Sequence, residues 1–579
     1  TFSYFAAPAA LCLIVMPDKI FRTAGSRLLI RLTFFAVLSV FLFDAVAEYL
    51  FFDEFGTRFN FIAIDYLVYT REVVRNIRES YHLNRLLAGI FLTAVAVFLL
   101  VRKHINRSLF SSDDRGRMIK YGGALVLTAA LSFAFVDHSR TSVSNNSYAN
   151  EVAGNGIYDL FAAFRNNEID YEKFYPTKDE SVVFARLRDL VQERNNHLVS
   201  DDSRSITREI TNPGTGQKLN VIVIVEESLS AEYLGAFGNT SGLTPNLDRL
   251  ADQSLLFRHL YATGTRTVRG LEAITLSLPP LPGLSLIKRP NNENFFSWGS
   301  LMRSRGYDTK FIYAGHGYFD NMNYFFGHNG FDTVDRTDFS DNEITFSNAW
   351  GVCDEDLFKK VIREADRSQA ARKPFFSMVM TTSNHRPFTY PAGKIDVLSG
   401  TGRAGGVKYA DYAIGRLIEQ AKRRPWFEDT LIVIVADHCA GSAGKTELPV
   451  KRYEIPLLVY APSHVRPGKI DTLASQIDIA PTILGLLNMS YRTKFLGKDI
   501  LKMAPSQERA FISTYQQLGF IKGDKLLIMG PQKHLAGYAF DRTDGTVRSI
   551  TPADADITEM ISYYEGASYL YKLGLNRIR

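Results

Sequence analysis

Asn220-Val-Ile-Val-Ile-Val-Glu226-Glu227-Ser228 is an apolar run that breaks into two carboxylates. A stretch of β-branched residues with no polar alternation predicts a strand buried on both faces, as in a parallel sheet covered by helices. Two other stretches repeat the pattern. Leu431-Ile-Val-Ile-Val-Ala436 runs into Asp437-His438, and Phe375-Phe-Ser-Met-Val-Met380 runs into Thr381-Thr382-Ser383-Asn384-His385. In open α/β sheets, ligands bind beyond the carboxyl ends of the strands. Polar clusters at three such ends can converge on one site. A carboxylate, an aspartate and a histidine together suit a divalent ion such as zinc or manganese.

Around these strands, from about residue 219, apolar runs alternate with helical segments. Asp308–Tyr313 and Ile455–Tyr460 read as further strands. Asn246–Gln253, Asp354–Ala365 and Tyr409–Ala421 read as helices. The alternation predicts an α/β domain with a mainly parallel sheet. From about Arg509 the segments shorten and carry hairpin turns at Gly523-Asp524 and Asp544-Gly545, predicting a small C-terminal subdomain.

The N-terminal part is of another kind. Apolar runs lie near Phe2–Met16, Leu28–Phe52, Leu86–Val101 and Tyr121–Val136, each approaching the ~20 residues that span a bilayer. Lys19, Arg22, Arg27 and Arg31 follow the first run, and Arg102, Lys103, Arg107, Arg115, Arg117 and Lys120 follow the third. By the positive-inside rule both loops are cytoplasmic, which leaves everything after residue 137 outside. Thr1 then lies outside too, unless a further span precedes it. Between the second and third runs, Phe59–Arg78 has apolar residues at helical spacing and fits either an interfacial helix or one packed on the bundle. Asp44 and Glu48, one turn apart near the outer end of the second run, are expected to reach water. The expected organisation is a transmembrane domain at 1–137, a helical linker at 138–215, a catalytic domain at 216–508 and a C-terminal subdomain at 509–579.

The 579 residues carry a net charge of only +6, and no basic stripe is interleaved with aromatics, so a nucleic-acid partner is not expected. The three cysteines, Cys12, Cys353 and Cys439, form no zinc-finger spacing. Free thiols are expected, with a Cys353–Cys439 disulfide as the alternative.

With Thr244-Pro-Asn-Leu-Asp-Arg-Leu-Ala251 following the first acidic cluster, residues 219–500 resemble the alkaline phosphatase and sulfatase superfamily. Within it the chain is similar to the lipoteichoic acid synthase family and to the phosphoglycerol transferases of periplasmic glucans. The resemblance implies an N-terminal transmembrane bundle with an extracytoplasmic α/β domain of that type and a small α+β subdomain. It also implies one divalent metal, manganese taken ahead of zinc, on Glu227, Asp437, His438 and a nucleophilic threonine. In Gly264-Thr265-Arg266-Thr267-Val268-Arg269-Gly270 the nucleophile falls at Thr267, with Thr265 as fallback. The Val-Arg-Gly that follows departs from the Gram-positive pattern and leaves the acceptor open. Substrate-contacting histidines fall on His316 and His385. Arg269 is placed as a phosphate clamp or a surface ion pair, and Glu226 as a supporting carboxylate. His259, His328 and His534 are read as structural. The Cys-x-Pro-x-Arg sequence of sulfatases is absent.

The implied activity moves phosphoglycerol from phosphatidylglycerol, or a similar phospholipid, to a glycan or polyol through a phospho-threonine. The implied place is a bacterial cytoplasmic membrane, with the catalytic domain on the periplasmic side. The alternatives are a phosphoethanolamine transferase, a lipid phosphodiesterase, and a sensor that binds head groups without turning them over.

Overall fold

A computed structural model of the chain describes residues 7–8, 10–11, 14–15, 23–60, 63–64, 68–110, 115–135, 144, 146–165, 170–441, 447–542 and 545–578. The chain divides into two compact units, Thr1–Asn166 and Asn167–Arg579.

The first unit is helical: α1 (Ala24–Phe55), α2 (Thr70–Ser80), α3 (Leu83–Phe110) and α4 (Arg115–Phe135) are followed by two short helices. Among the described residues two helices are long and apolar enough to cross a membrane, Ala24–Phe55 and Leu83–Arg107, each with mean hydropathy 2.1. Ile119–Phe135 is apolar but shorter, and most of the expected Phe2–Met16 run lies outside the described residues. Phe35 of α1 meets Phe91 and Phe98 of α3 edge-on, with ring centroids 5.9 and 5.8 Å apart. Glu48 is held by Arg58 at 2.7 Å.

The second unit is built on a nine-stranded sheet. In chain order its strands are β3 (Asn220–Glu226), β4 (Leu255–Tyr261), β5 (Asp308–Tyr313), β6 (Asp332–Val334), β7 (Phe375–Met380), β8 (Thr430–Ala436), β9 (Glu454–Tyr460), β10 (Gly468–Ile470) and β11 (Ala474–Ser475). Their spatial order is β10-β4-β9-β8-β3-β7-β5-β6, with β11 also on β4. From β8 to β6 every pairing is parallel, while β9 runs antiparallel to both its neighbours. Every residue of β3, β7 and β8 is buried, as their unbroken apolar runs require. Helices α5 (Asp354–Ala370) and α6 (Arg403–Ala421) pack against each other beside this sheet.

Residues 170–215, expected as linker, contribute the helix Glu180–Leu190 and strands β1 (Asn196–Leu198) and β2 (Arg208–Ile210) to the second unit. Tyr171, Phe184 and Leu187 belong to one hydrophobic core with the sheet. That core extends through the C-terminal antiparallel strands to Tyr563 and Tyr564 of the last helix, Asp554–Lys572. The C-terminal segment is therefore continuous with the nine-stranded sheet. Cys353 and Cys439 are buried free thiols.

One buried ion pair ties these parts. Arg509 makes two hydrogen bonds of 2.8 Å to the two oxygens of Asp478, and both side chains are fully buried. The guanidinium also lies over the rings of Phe511 and Tyr563, at 5.4 and 5.6 Å. Breaking such a pair strands a buried charge. Arg509→Met is expected to destabilise the second unit by about 3–5 kcal/mol. All three tryptophans, Trp298, Trp350 and Trp426, lie in that unit. Denaturant titration of the full chain by tryptophan emission therefore reads it selectively, and an unchanged midpoint would refute the role.

Candidate metal and phosphoryl-transfer site

The site follows from register. β3 and β8 pair in parallel with Glu226 opposite Ala436, so Glu227 and Asp437 leave the sheet side by side. β7 flanks β3 on the other side, with Val225 opposite Met380, which brings Thr381 to the same edge. The Glu227 N–H donates to Thr381 Oγ1 at 3.0 Å. Ser228 then turns the chain with a left-handed φ of 52°. This conformation is uncommon outside glycine and occurs where surrounding contacts fix it. Here Ser228 N–H donates to Asp437 Oδ1 at 2.8 Å, and its hydroxyl donates to Glu227 Oε1 at 2.6 Å.

Glu227, Asp437 and His438 bring one donor atom each within 4.8 Å of one another. His438 Nδ1 bonds to the Cys439 carbonyl at 2.7 Å. A carbonyl can only accept, so Nδ1 carries the proton and Nε2 keeps a lone pair for the cluster. Nε2 stands 3.3 Å from Asp437 Oδ2 and 3.7 Å from Glu227 Oε1. Burial pulls the imidazole down to about 4, so it is neutral at physiological pH. Burial and the charge of Glu227 push Asp437 well above the usual carboxylate range, against the N–H groups of Ser228 and His438. Asp437 Oδ2 is buried with no hydrogen-bond partner. Two carboxylates and a neutral imidazole facing an orphaned oxygen fit a divalent cation.

Thr267 opens the ten-residue helix α7 (Thr267–Leu276), which precedes α5 in the chain. Its hydroxyl donates to Glu227 Oε2 at 3.3 Å. Thr265 makes no such bond. A helix N-terminus presents unpaired N–H groups and partial positive charge, favourable to a phosphoryl group or a developing alkoxide. Gly270 allows α7 to reach this place, because a Cβ there would lie 2.2 Å from the Asp437 carbonyl oxygen. The Val-Arg-Gly that follows Thr267 thus has a packing reason.

His385 Nδ1 bonds to the Arg386 carbonyl at 2.9 Å, and its ring lies 4.0 Å from that of Trp350. Its charge acts on Glu227: burial raises that carboxylate, but His385, His438 and the Ser228 hydroxyl together leave it below its ordinary value. His316 is exposed in the loop after β5, where its ring stacks on Tyr318. That loop packs on Trp350 through Gly315 and Phe319. His316 makes no polar contact with the four central residues.

Arg269 departs from its expected part. Its guanidinium is buried, bonded to Glu272 at 3.4 Å and to the Gly283 carbonyl, and so secures the start of α7 from within. The arginine that sequence reasoning missed is Arg403, at the first position of α6. It lies over the Phe388 ring at 4.9 Å and donates to the Asn384 carbonyl at 3.4 Å. Its charge is felt by both Glu227 and His438. The glycine-rich Ser399-Gly-Thr-Gly-Arg-Ala-Gly-Gly406 ahead of a helix was the signal available in the sequence. Glu226 faces a different environment from Glu227. It is fully buried, and burial together with the charge of Asp354 pushes it far above its ordinary value, which favours a neutral carboxylic acid. Asp354 in turn accepts the N–H groups of Thr382 and Ser383, fixing the loop that carries His385. Of the remaining histidines, His259 pairs with Glu454 at 3.2 Å, the His328 ring lies tilted 4.2 Å from that of Tyr324, and His534 stands 3.8 Å from Glu447.

Two measurements test this geometry. Elemental analysis of the purified chain is expected to find a divalent ion that Asp437→Asn loses while tryptophan emission stays native. Retention of the ion by that variant would rule the cluster out. Arg269→Ala is expected to lower stability by about 1–3 kcal/mol, the range for leaving a buried partner unsatisfied. Arg403→Ala is expected to leave the unfolding midpoint unchanged, and equal loss in both would erase the distinction.

A model of the sulfatase family matches residues 219–489. Phosphoglycerol transferase I of Xanthomonas campestris pv. campestris is 26% identical over 314 residues, covering 49% of this chain and 43% of that protein. The lipoteichoic acid synthase-like protein YvgJ of Bacillus subtilis is 24% identical over 341 residues, 54% of each chain. The chain thus spans about half or less of these curated relatives. Among solved structures, the lipoteichoic acid synthase LtaP of Listeria monocytogenes shares the fold with a TM-score of 0.54 at 20% identity, over 68% of this chain and 98% of that one. A protein in the alkaline phosphatase superfamily from Vibrio parahaemolyticus is 33% identical with a TM-score of 0.67, covering 71% of this chain and all of that one. On that match, and on the sulfatase-type domain within it, the chain belongs to the alkaline phosphatase superfamily.

Proposed function

We propose that this chain is a membrane-anchored transferase that moves phosphoglycerol from phosphatidylglycerol to a glycan or polyol through a phospho-threonine at Thr267. The reading rests above all on the Thr267 hydroxyl, which sits at a helix N-terminus against Glu227 and beside Asp437 and His438. The names of the relatives, phosphoglycerol transferase and lipoteichoic acid synthase-like, point the same way. The two long apolar helices suit a donor that resides in a bilayer. The catalytic unit is assigned to the outer side of a bacterial cytoplasmic membrane, following the charge of the loops.

Glu227, Asp437, His438 and Thr267 would hold the divalent ion, manganese ahead of zinc. Bound there, it would stabilise the threonine alkoxide and the charge on the phosphoryl oxygens. In the first step Thr267 Oγ1 attacks phosphorus, and the bond from phosphorus to the diacylglycerol oxygen breaks. Glu227 Oε2, already the acceptor of the Thr267 hydroxyl, is placed to take its proton. His385 has Nδ1 fixed on a carbonyl, so Nε2 exchanges protons with substrate. As imidazolium it protonates the departing diacylglycerol oxygen and becomes neutral. In the second step it accepts the proton of the incoming hydroxyl, which attacks phosphorus; the bond from phosphorus to Thr267 Oγ1 breaks, and Glu227 returns its proton to that oxygen. Arg403 supplies positive charge to the phosphoryl oxygens.

Mass spectrometry of the Thr267 peptide after exposure to phosphatidylglycerol is expected to show an added glycerol phosphate. An ethanolamine phosphate from native membranes would instead identify the other transferase. Thr267→Ala is expected to abolish diacylglycerol release while retaining the metal, and normal turnover in that variant would refute the covalent route. A polyol or glucan acceptor is expected to accelerate diacylglycerol production. Rapid release of free glycerol phosphate, indifferent to acceptor, would assign a phosphodiesterase.

A further inference from the structure

Helix α2 lies between the two helices that are long and apolar enough to cross a membrane. It ends at Ser80, and α3 begins at Leu83. At most 3.8 Å per residue, that connection holds the end of α2 close to the start of α3. If α3 spans a bilayer, α2 lies at the membrane surface whichever side that is. Tyr69 and Tyr81 flank it, and tyrosine is favoured at such boundaries.

The two faces of α2 differ. Glu72, Val73 and Asn76 are buried within the first unit. Arg71, Arg75 and Arg78 are exposed. At 3.6 residues per turn these three arginines fall within a stripe about 60° wide. Val74, 37% exposed, borders it. Like charges at this spacing repel and weaken a helix. One carboxylate offsets them: Glu79 pairs with Arg75 at 2.8 Å. Among the described residues neither Arg71 nor Arg78 makes an ion pair. The stripe is left with two unpaired guanidinium groups at a place set by chain connectivity, and guanidinium is the side chain whose planar fork matches phosphate.

We propose that α2 is a headgroup-binding platform, on which Arg71, Arg75 and Arg78 hold the phosphates of anionic phospholipids in the leaflet where the helix rests. The proposal depends on α1 and α3 spanning the membrane and is independent of the chemistry at Thr267. Basic side chains at an anionic surface each add an attraction that salt screens. The platform would keep anionic lipid around the anchor irrespective of turnover.

The test uses the full chain in nanodiscs of phosphatidylcholine, with or without a minority of phosphatidylserine, which keeps the probe apart from the proposed donor. Amide hydrogen exchange is read over residues 70–80. Phosphatidylserine is expected to slow exchange there by about fivefold per arginine engaged. High salt and the double variant Arg71→Gln/Arg78→Gln should each remove the effect, while exchange in α1 and α3 stays as in the wild type. Equal protection in both discs, or protection unchanged in the double variant, would overturn the proposal. Extraction of the chain from membranes by alkaline carbonate would overturn its membrane premise separately. A normal result at α2 with an inactive or unmodified Thr267 would leave the platform standing and refute only the transferase reading.

Discussion

Two carboxylates brought together out of water are the constraint on which the catalytic unit depends. Glu227 and Asp437 are both buried, and Asp437 responds to the charge of Glu227. Like charges at close range in a poorly solvated site repel strongly, and two outcomes are open to them: one takes a proton, or a cation enters. A cation bound there would return Asp437, held well above its usual range by burial and by Glu227, to its charged form. The Ser228 and His438 N–H groups both donate to Asp437 Oδ1, at 2.8 and 2.6 Å, and so support its ionised form. A neutral imidazole adds a lone pair on the same side. Glu226 shows the other outcome. It is buried beside Asp354, whose charge outweighs the support of the Thr381 hydroxyl, and the proton is favoured.

That arrangement is held by backbone rather than by side-chain choice. The β3–β8 register sets the spacing of the carboxylates, and the strained turn at Ser228 aims one toward the other. α7 completes the site because Gly270 lets it touch the backbone of Asp437. Gln476 ties the same point from the far side, donating to the carbonyls of Ala436 and Asp437 at 2.8 and 2.7 Å and accepting the Thr263 N–H at 2.9 Å. The loop leading to Thr267 and the strand end carrying Asp437 therefore share one clamp. Small displacements of a nucleophile can cost orders of magnitude in rate, so rigidity here serves chemistry as well as stability.

How much of this was legible in the sequence depends on the range of the interaction. Strands buried on both faces declare themselves through unbroken β-branched runs, so β3, β7 and β8 and the polar residues at their ends could be read directly. Arg269 could not. Its proximity to Thr267 suggested phosphate, but Glu272 lies one turn on and Gly283 returns to meet it, and that return is a tertiary fact. Arg403 was hidden for the converse reason. Its glycine-rich stretch announces a turn into a helix but not what that turn meets, and it reaches the site over Asn384 and Phe388. The boundary near residue 215 was similarly hidden, since Tyr171, Phe184 and Leu187 look like an ordinary amphipathic helix until the partner surface is known. The helices of the first unit follow composition more closely, and Ile119–Phe135 shows the limit: an apolar run can be evident and still be short for a span.

The contrast between the two arginines bears on how the site would distinguish its steps. In the proposed transfer, a phosphoryl group arriving on a lipid and leaving on a glycan or polyol would present the same charge to the protein both times. A buried arginine already committed to Glu272 cannot follow that charge, whereas a half-buried one resting on an aromatic face can. The Phe388 ring fixes the plane of the Arg403 guanidinium without neutralising it, and the Asn384 carbonyl takes one of its several donors. The remaining donors are free to meet phosphoryl oxygens. Asn384 also donates from its side chain to the Glu227 carbonyl at 2.8 Å. The residue that orients the arginine thus also braces the Glu227–Ser228 turn, so the positive charge and the proposed nucleophile are referenced to the same short segment of backbone. In the proposed two-step transfer that shared reference would let one geometry serve both attacks.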